Sequence, residues 1–299
     1  MRNLPFLLLM AAFALPAQNR GENPPFHLPD GVEMKADLVY AKVGSRELHL
    51  DLFLPKNGSG PFPAVIYIHG GGWSAGSKNA FRRQAAYMAT KGFAGACIQY
   101  RLSGEAKYPA ALYDSKAAVR WVRANAASYR IDPNRIGAAG GSAGGHLVAM
   151  LGTTIDMPEF EGSEGNSGVS SRVAAVAGFN PAVDLADFGK RGAGAGDNAV
   201  TQFLGAPYGE KPDLWKSASP SYHVSAKSAP MLFLHGDSDS TVPYRQSVEM
   251  MEKLKAAGVR AELFTAPDAN HGFFNSPPWF EPTLRRMEEF FTSVLKSAA

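Results

Sequence analysis

Apolar positions follow two rhythms along this 299-residue chain. Between positions 36 and 55, ADLVYAKVGSRELHLDLFLP carries two runs in which apolar and polar residues alternate, interrupted at Gly44 and Ser45. A period of two with a small, turn-forming interruption predicts two strands joined as a hairpin. From position 62 onward the rhythm changes. FPAVIYIHG, GFAGACIQY, RIGAAGG, RVAAVAGFN, APMLFLHG and AELFTAP are short, nearly continuous apolar runs that stop at glycine, proline or a polar residue. Most are separated by segments of helical period, clearest in SKNAFRRQAAYMATKG, PAALYDSKAAVRWVRANAASY, PYRQSVEMMEKLKAAG and EPTLRRMEEFFTSVLKS. Continuous apolar strands alternating with helices predict an α/β fold, with a mostly parallel central sheet, helices on both faces and an antiparallel hairpin at its start.

The first residues break this pattern. MRNLPFLLLMAAFALPAQNR has a basic Arg2, an apolar stretch from Leu4 to Leu15 and a small residue, Ala17, ahead of polar sequence. This is the layout of a secretory signal peptide, and the stretch is shorter than the roughly 20 residues needed to span a bilayer. The expected organisation is therefore a signal peptide at 1–17, a proline-rich linker at 18–35 and one α/β domain at 36–299. Export follows as the expected localisation, periplasmic or secreted, with no membrane association once the signal is removed.

Composition narrows the class without naming it. Hydrophobic residues make up 45% and charged residues 19% of the chain, enough for a core that needs no staples. The net charge of +3 is spread without a basic stripe, so a nucleic-acid partner is not expected. The single cysteine, Cys97, lies within an apolar run and cannot form an internal disulfide.

Functional groups in parallel α/β sheets collect beyond the carboxyl ends of strands, which directs attention to the turns after each apolar run. RIGAAGG reads as a strand and AGGHLVAMLGTT opens a helix, leaving Ser142 on the turn between them in the pattern G-x-S-x-G. A serine on so sharp a turn has its hydroxyl raised above the sheet, and the Ala143 N–H at the helix start can face a negative oxygen. A hydroxyl needs a base, and the base an orienting acid. HGDSDSTVP offers Asp237 and Asp239 after one strand, and APDANHGFF offers His271 after the next. His271 is the expected general base. Asp239 is preferred as the acid because it lies deeper in its loop, with Asp237 expected to bond loop amides and Asp184 a third candidate.

A second set of oxyanion donors should come from YIHGGGWSAGSK, where His69, Gly70, Gly71, Gly72 and Trp73 follow an early strand. The Gly71 and Gly72 N–H groups are the candidates; a phosphate loop would require a Lys-Ser or Lys-Thr pair at a spacing that GSKN does not provide. Trp73 is the candidate substrate contact, a wall for an aromatic acyl group, with plugging of the loop against the core as the competing reading. His146, one helical turn after Ser142, is expected to pack or to bond a backbone carbonyl. The polar, glycine-rich segments 159–171 and 187–200 read as surface that could overhang the site as lids, and SPPWF at 276–280 as one wall of a pocket. No cluster of histidines and carboxylates has metal-binding spacing.

HGGGW, YRL at 100–102, GGSAGG, HGDSDSTVP and NHGF, in this order, resemble the α/β-hydrolase serine esterases of the bacterial carbohydrate-esterase type, which include acetyl xylan and feruloyl esterases. The resemblance runs from about Ala36 to the C-terminus. It implies a triad of Ser142, Asp239 and His271, no metal and no cofactor, and an ester of a carbohydrate or small molecule as substrate. The related hormone-sensitive-lipase-like esterases usually have aspartate where Gly141 stands here, and a helical cap where this chain has the hairpin, which points to an open cleft. The expected activity is carboxylic ester hydrolysis, with removal of acetyl or other small acyl groups from carbohydrate. An exopeptidase or formamidase using the same triad is the nearest rival, and a non-catalytic binding protein with a hydrolase fold the most distant.

Overall fold

Alternation within single strands explains how one sheet feeds two cores. In the segment Phe62–Ile68, Ala64, Ile66 and Ile68 point into one apolar cluster while Val65 and Tyr67 point into the other. Every residue of this strand is buried, as expected of a strand covered on both faces.

The computed structural model describes residues 26–191 and 195–296, with side chains left out for 191–198. The expected signal peptide lies outside the described residues, as do positions 18–25 of the expected linker. Eight strands form the sheet: β1 (Val32–Val43), β2 (Arg46–Pro55), β3 (Phe62–Ile68), β4 (Ala94–Ile98), β5 (Ile131–Gly141), β6 (Ala175–Phe179), β7 (Met231–Gly236) and β8 (Ala261–Ala266). The helices are α1 (Arg82–Thr90), α2 (Ala110–Ala124), α3 (Ala143–Thr153), α4 (Leu185–Arg191), α5 (Ala195–Leu204), α6 (Pro212–Ser217), α7 (Arg245–Ala256) and α8 (Phe280–Phe291). The strand order is β1-β2-β4-β3-β5-β6-β7-β8. β1, β2 and β4 pair antiparallel, and every other pair is parallel. Leu147 of α3, Val119 of α2 and Leu254 of α7 cover one face; Met88 of α1 and Phe290 of α8 cover the other. This is the α/β-hydrolase arrangement.

The hairpin turns at Gly44 and Ser45 as the alternation predicts, but β1 starts at Val32, inside the stretch read as linker. Val32 is buried and pairs with Pro55. Two register shifts, between Lys35 and Leu38 and between Val39 and Ala41, interrupt the pairing further along the strand, whereas its first residues, Val32 to Lys35, alternate apolar and polar and pair regularly with β2.

Candidate active site

Four of the parallel strands end around one cleft of about 530 Å³. Gly70 to Gly72 follow β3, Ser142 follows β5, Asn180 follows β6 and His271 lies on the loop after β8. Asp239, on the loop after β7, stands behind His271.

Ser142 sits at φ 55°, ψ −119°, a conformation that side-chain-bearing residues rarely adopt. Its own N–H donates to Phe179 O at 2.9 Å, and its carbonyl accepts the His146 N–H at 2.9 Å, so strand and helix grip it from both sides. The turn also demands close backbone approach. A Cβ on Gly144 would lie 2.1 Å from Ile68 O, which leaves no room for any other residue. A Cβ on Gly141 would lie 2.7 Å from Phe274 Cζ.

Ser142 Oγ–H donates to His271 Nε2 at 2.9 Å, and His271 Nδ1–H donates to Asp239 Oδ2 at 2.7 Å. The acceptor-only carboxylate fixes the tautomer: the proton is on Nδ1, and Nε2 presents its lone pair to the serine. Burial by itself would raise the Asp239 pKa. Hydrogen bonds from His235, His271 and the Val242 amide outweigh it and hold the carboxyl well below the usual carboxylate range. Asp239 Oδ1 accepts the Thr241 and Val242 N–H groups at 2.8 and 2.9 Å, leaving Oδ2 to face the imidazole.

The competing acids have other partners. Asp237 is exposed and accepts the Asp268 N–H at 2.7 Å, tying two loops together. Asp184 accepts the Asp187 N–H at 3.0 Å, at the start of α4.

Gly70 lies directly against the serine turn, where a Cβ would be 2.7 Å from Gly141 O. The Gly71 and Gly72 N–H groups donate to no acceptor among the described residues, and Ala143 is the first residue of α3, whose amide has no partner within the helix. Gly71 and Gly72 therefore line the cleft together with Ser142, and the Ala143 amide follows Ser142 at the start of α3. His69 braces this loop from beneath: it stacks on Tyr100 with ring centroids 4.4 Å apart, and the Tyr100 hydroxyl donates to His69 O. Burial depresses the His69 pKa.

Trp73 does not face the cleft, which corrects its expected contact with substrate. Only 4% exposed, it stacks on Phe203 at 4.6 Å and donates its indole N–H to His146 Nδ1. The apolar side of the cleft comes instead from Phe81 and Phe274, whose rings stack with centroids 5.9 Å apart. Of the segment 276–280, no residue is among those lining the cleft; Phe280 packs under the Arg83 guanidinium.

Two polar residues join the site without having been singled out from the sequence. Asn180, fully buried at φ 36°, places Nδ2 3.1 and 3.3 Å from the two His271 ring nitrogens. Both nitrogens already have in-plane partners in Asp239 and Ser142, so the amide lies against the imidazole rather than in line with either nitrogen. Its Oδ1 has no partner among the described residues. His235 accepts the Ser247 hydroxyl at Nδ1 and donates from Nε2 to Val242 O, with Asp239 Oδ2 3.3 Å from the same nitrogen. Each signal was visible as a polar residue at the carboxyl end of an apolar run, GFN in one case and FLHG in the other.

A serine, an imidazole and a carboxylate joined by hydrogen bonds at a cleft lined by glycines are a geometry suited to acyl transfer. Comparisons with known proteins agree in kind. The BD-FAE family model matches residues 50–254, a span that contains Ser142 and Asp239. Esterase LipC of Mycobacterium tuberculosis is 32% identical over 218 residues, 71% of this chain and 53% of that protein. Esterase LipQ of the same organism is 31% identical over 80% of this chain and 57% of its own length, so the chain spans about half the length of these curated relatives. Among solved structures, a thermophilic esterase from the Planctomycetes species Thermogutta terrifontis superposes with a TM-score of 0.75 at 33% identity, covering 89% of this chain and 93% of that one. A truncated carbohydrate esterase from gut microbiota superposes with a TM-score of 0.79 at 32% identity, covering 88% and 96%. With its serine turn, glycine loop and mostly parallel sheet, the chain belongs to the BD-FAE family and shares the α/β-hydrolase fold of these esterases.

Proposed function

We propose that this protein is an exported serine esterase that removes acetyl or other small acyl groups from carbohydrate esters. The observation that carries the reading is the hydrogen-bonded chain from Ser142 through His271 to Asp239, whose serine end opens into the cleft lined by Gly71 and Gly72. Ser142 Oγ attacks the ester carbonyl as His271 Nε2 takes its proton. The carbonyl oxygen, now negative, is stabilised by the three N–H groups, and Asp239 stabilises the imidazolium. His271 then gives its proton to the departing alcohol, leaving an acyl-Ser142. Water, deprotonated by His271, attacks this acyl group, and collapse returns Ser142 and releases the acid.

The carbohydrate ester rests on weaker support: the motif resemblance and the gut-microbiota carbohydrate esterase among the structural relatives. Phe81 and Phe274 give the cleft an apolar side against which an acyl group can lie. Export rests on Arg2, the apolar stretch Leu4 to Leu15 and Ala17.

The test is acetate release from acetylated xylan, with Ser142→Ala as the blank. Release by the wild type alone is the expected result. Cleavage of short p-nitrophenyl esters without release from xylan would keep the esterase and discard the polysaccharide.

A further inference from the structure

The Gly71 and Gly72 amides act only if the loop carrying them is held in register with Ser142, and beside the His69–Tyr100 brace one pair of side chains, Trp73 and His146, ties the loop to the helix that begins at Ser142. Trp73 closes the loop at φ 58°, with its carbonyl accepting the Ser103 N–H at 2.8 Å and its ring flat against Phe203 of α5. Its indole N–H donates to His146 Nδ1 at 3.1 Å, and His146 Nε2–H donates to Ala218 O at 2.7 Å. The two partners leave His146 one tautomer. Its backbone N–H, meanwhile, bonds the carbonyl of Ser142 itself.

We infer that Trp73 and His146 form a latch that positions the oxyanion loop against the nucleophile helix, setting the distance from the Gly71 and Gly72 amides to Ser142. The inference rests on the proposed role of those amides. One residue, His146, touches both halves of the oxyanion site: its main chain grips the serine turn and its ring grips the glycine loop. Because His146 is fully buried, its pKa is pushed down to about 4, and Nδ1 stays an acceptor at neutral pH. A hydrogen bond that serves packing alone would affect stability; one that serves register should affect turnover, since displacement of donors by fractions of an ångström weakens them most in the transition state.

Trp73→Phe keeps the stacked ring and removes only the N–H. His146→Asn keeps an acceptor in the place of Nδ1, whereas His146→Leu removes it. With p-nitrophenyl acetate, Trp73→Phe and His146→Leu should each lower kcat on the order of 30-fold with KM within about twofold, and the double variant should be no worse than either single one. His146→Asn should stay within about threefold of the wild type. Near-normal kcat in Trp73→Phe, or losses that multiply in the double variant, would overturn the latch, even if thermal midpoints fall. Should His146→Leu fail to fold, Trp73→Phe and His146→Asn decide the matter alone. Failure of the underlying function would be seen separately, as Ser142→Ala retaining activity, and the latch would fall with it.

Discussion

Segments 159–171 and 187–200 are both polar and rich in glycine, and they differ in what they pack against. The first precedes β6 and lies along the flank of α2, reaching from Arg120 up to Tyr113 and Arg101, and none of its residues lines the cleft around Ser142. It is strapped down by charges that come from α2. Lys116 Nζ donates to Thr154 O at 2.9 Å and to Glu161 Oε1 at 2.7 Å, while Arg120 donates to the Glu161 and Glu164 carbonyls. Both cations are almost fully buried, at 1% and 2% exposure. The second segment follows β6 and brings Ala199 of α5 beside Gly72. The tertiary partners, which composition does not report, set the second beside the glycine loop and the first on α2. The expectation of a lid is thereby withdrawn for 159–171.

The contrast predicts that changes at the α2 end alter stability alone, whereas changes at the cleft end reach turnover. The largest expected effect is at Ser142 and His271, where alanine should lower turnover on the order of 10⁶-fold with circular dichroism and thermal midpoint unchanged. A loss below a hundredfold in either variant would remove the triad. In the same assay Asp239→Asn should fall sharply and Asp237→Asn only a few-fold, since Asp237 touches a loop amide and not the imidazole.

At the opposite end, Glu161→Gln should cost about 3 kcal/mol in urea denaturation, the low end for breaking a buried ion pair because Glu161 is 31% exposed. Its kcat/KM should match the wild type within about twofold. A clear loss of activity would mean that the α2 flank and the cleft are coupled.

Acid should separate the ends further. His146 is protonated in the folded protein only near pH 4, against 6.5 as its ordinary value, so its contribution to stability is complete above the unfolded pKa and is lost as pH falls through the folded one. Between pH 7 and 4 the wild type should lose about 3 kcal/mol more than His146→Asn, measured by urea unfolding at each pH.

The smallest effect concerns the place shared by Gly141 and Phe274. Gly141→Ala should destabilise by about 1–3 kcal/mol through overpacking against the ring. Adding Phe274→Leu, which deletes the clashing Cζ, should recover part of that loss; additive losses would show that the two do not compete for one space.

The sequence made the chemistry easier to see than its supports. Ser142, Asp239 and His271 each follow an apolar run and differ in type from their neighbours, so position and residue identity agree. Trp73 gave no comparable sign of direction: an indole beside a glycine loop reads the same whether it faces substrate or core, and the deciding partners, His146 and Phe203, are 73 and 130 positions away. Lys116 and Arg120, four apart on a helix, look like a solvated face, and only the loop folded over them shows otherwise. The start of β1 carried its own sign, since Val32, Glu33, Met34 and Lys35 alternate apolar and polar, but the prolines just before it, Pro24, Pro25 and Pro29, extend the look of a linker over it.

The backbone at Ser142 has one more consequence. A residue with a side chain held at φ 55° stores strain, on the order of 1–3 kcal/mol, which glycine would release. Under selection for heat resistance alone, the nucleophile position is therefore a place where the chain gains by becoming inert. Any effort to evolve a hardier form of this protein has to screen for turnover at every round, because the elbow rewards its own loss.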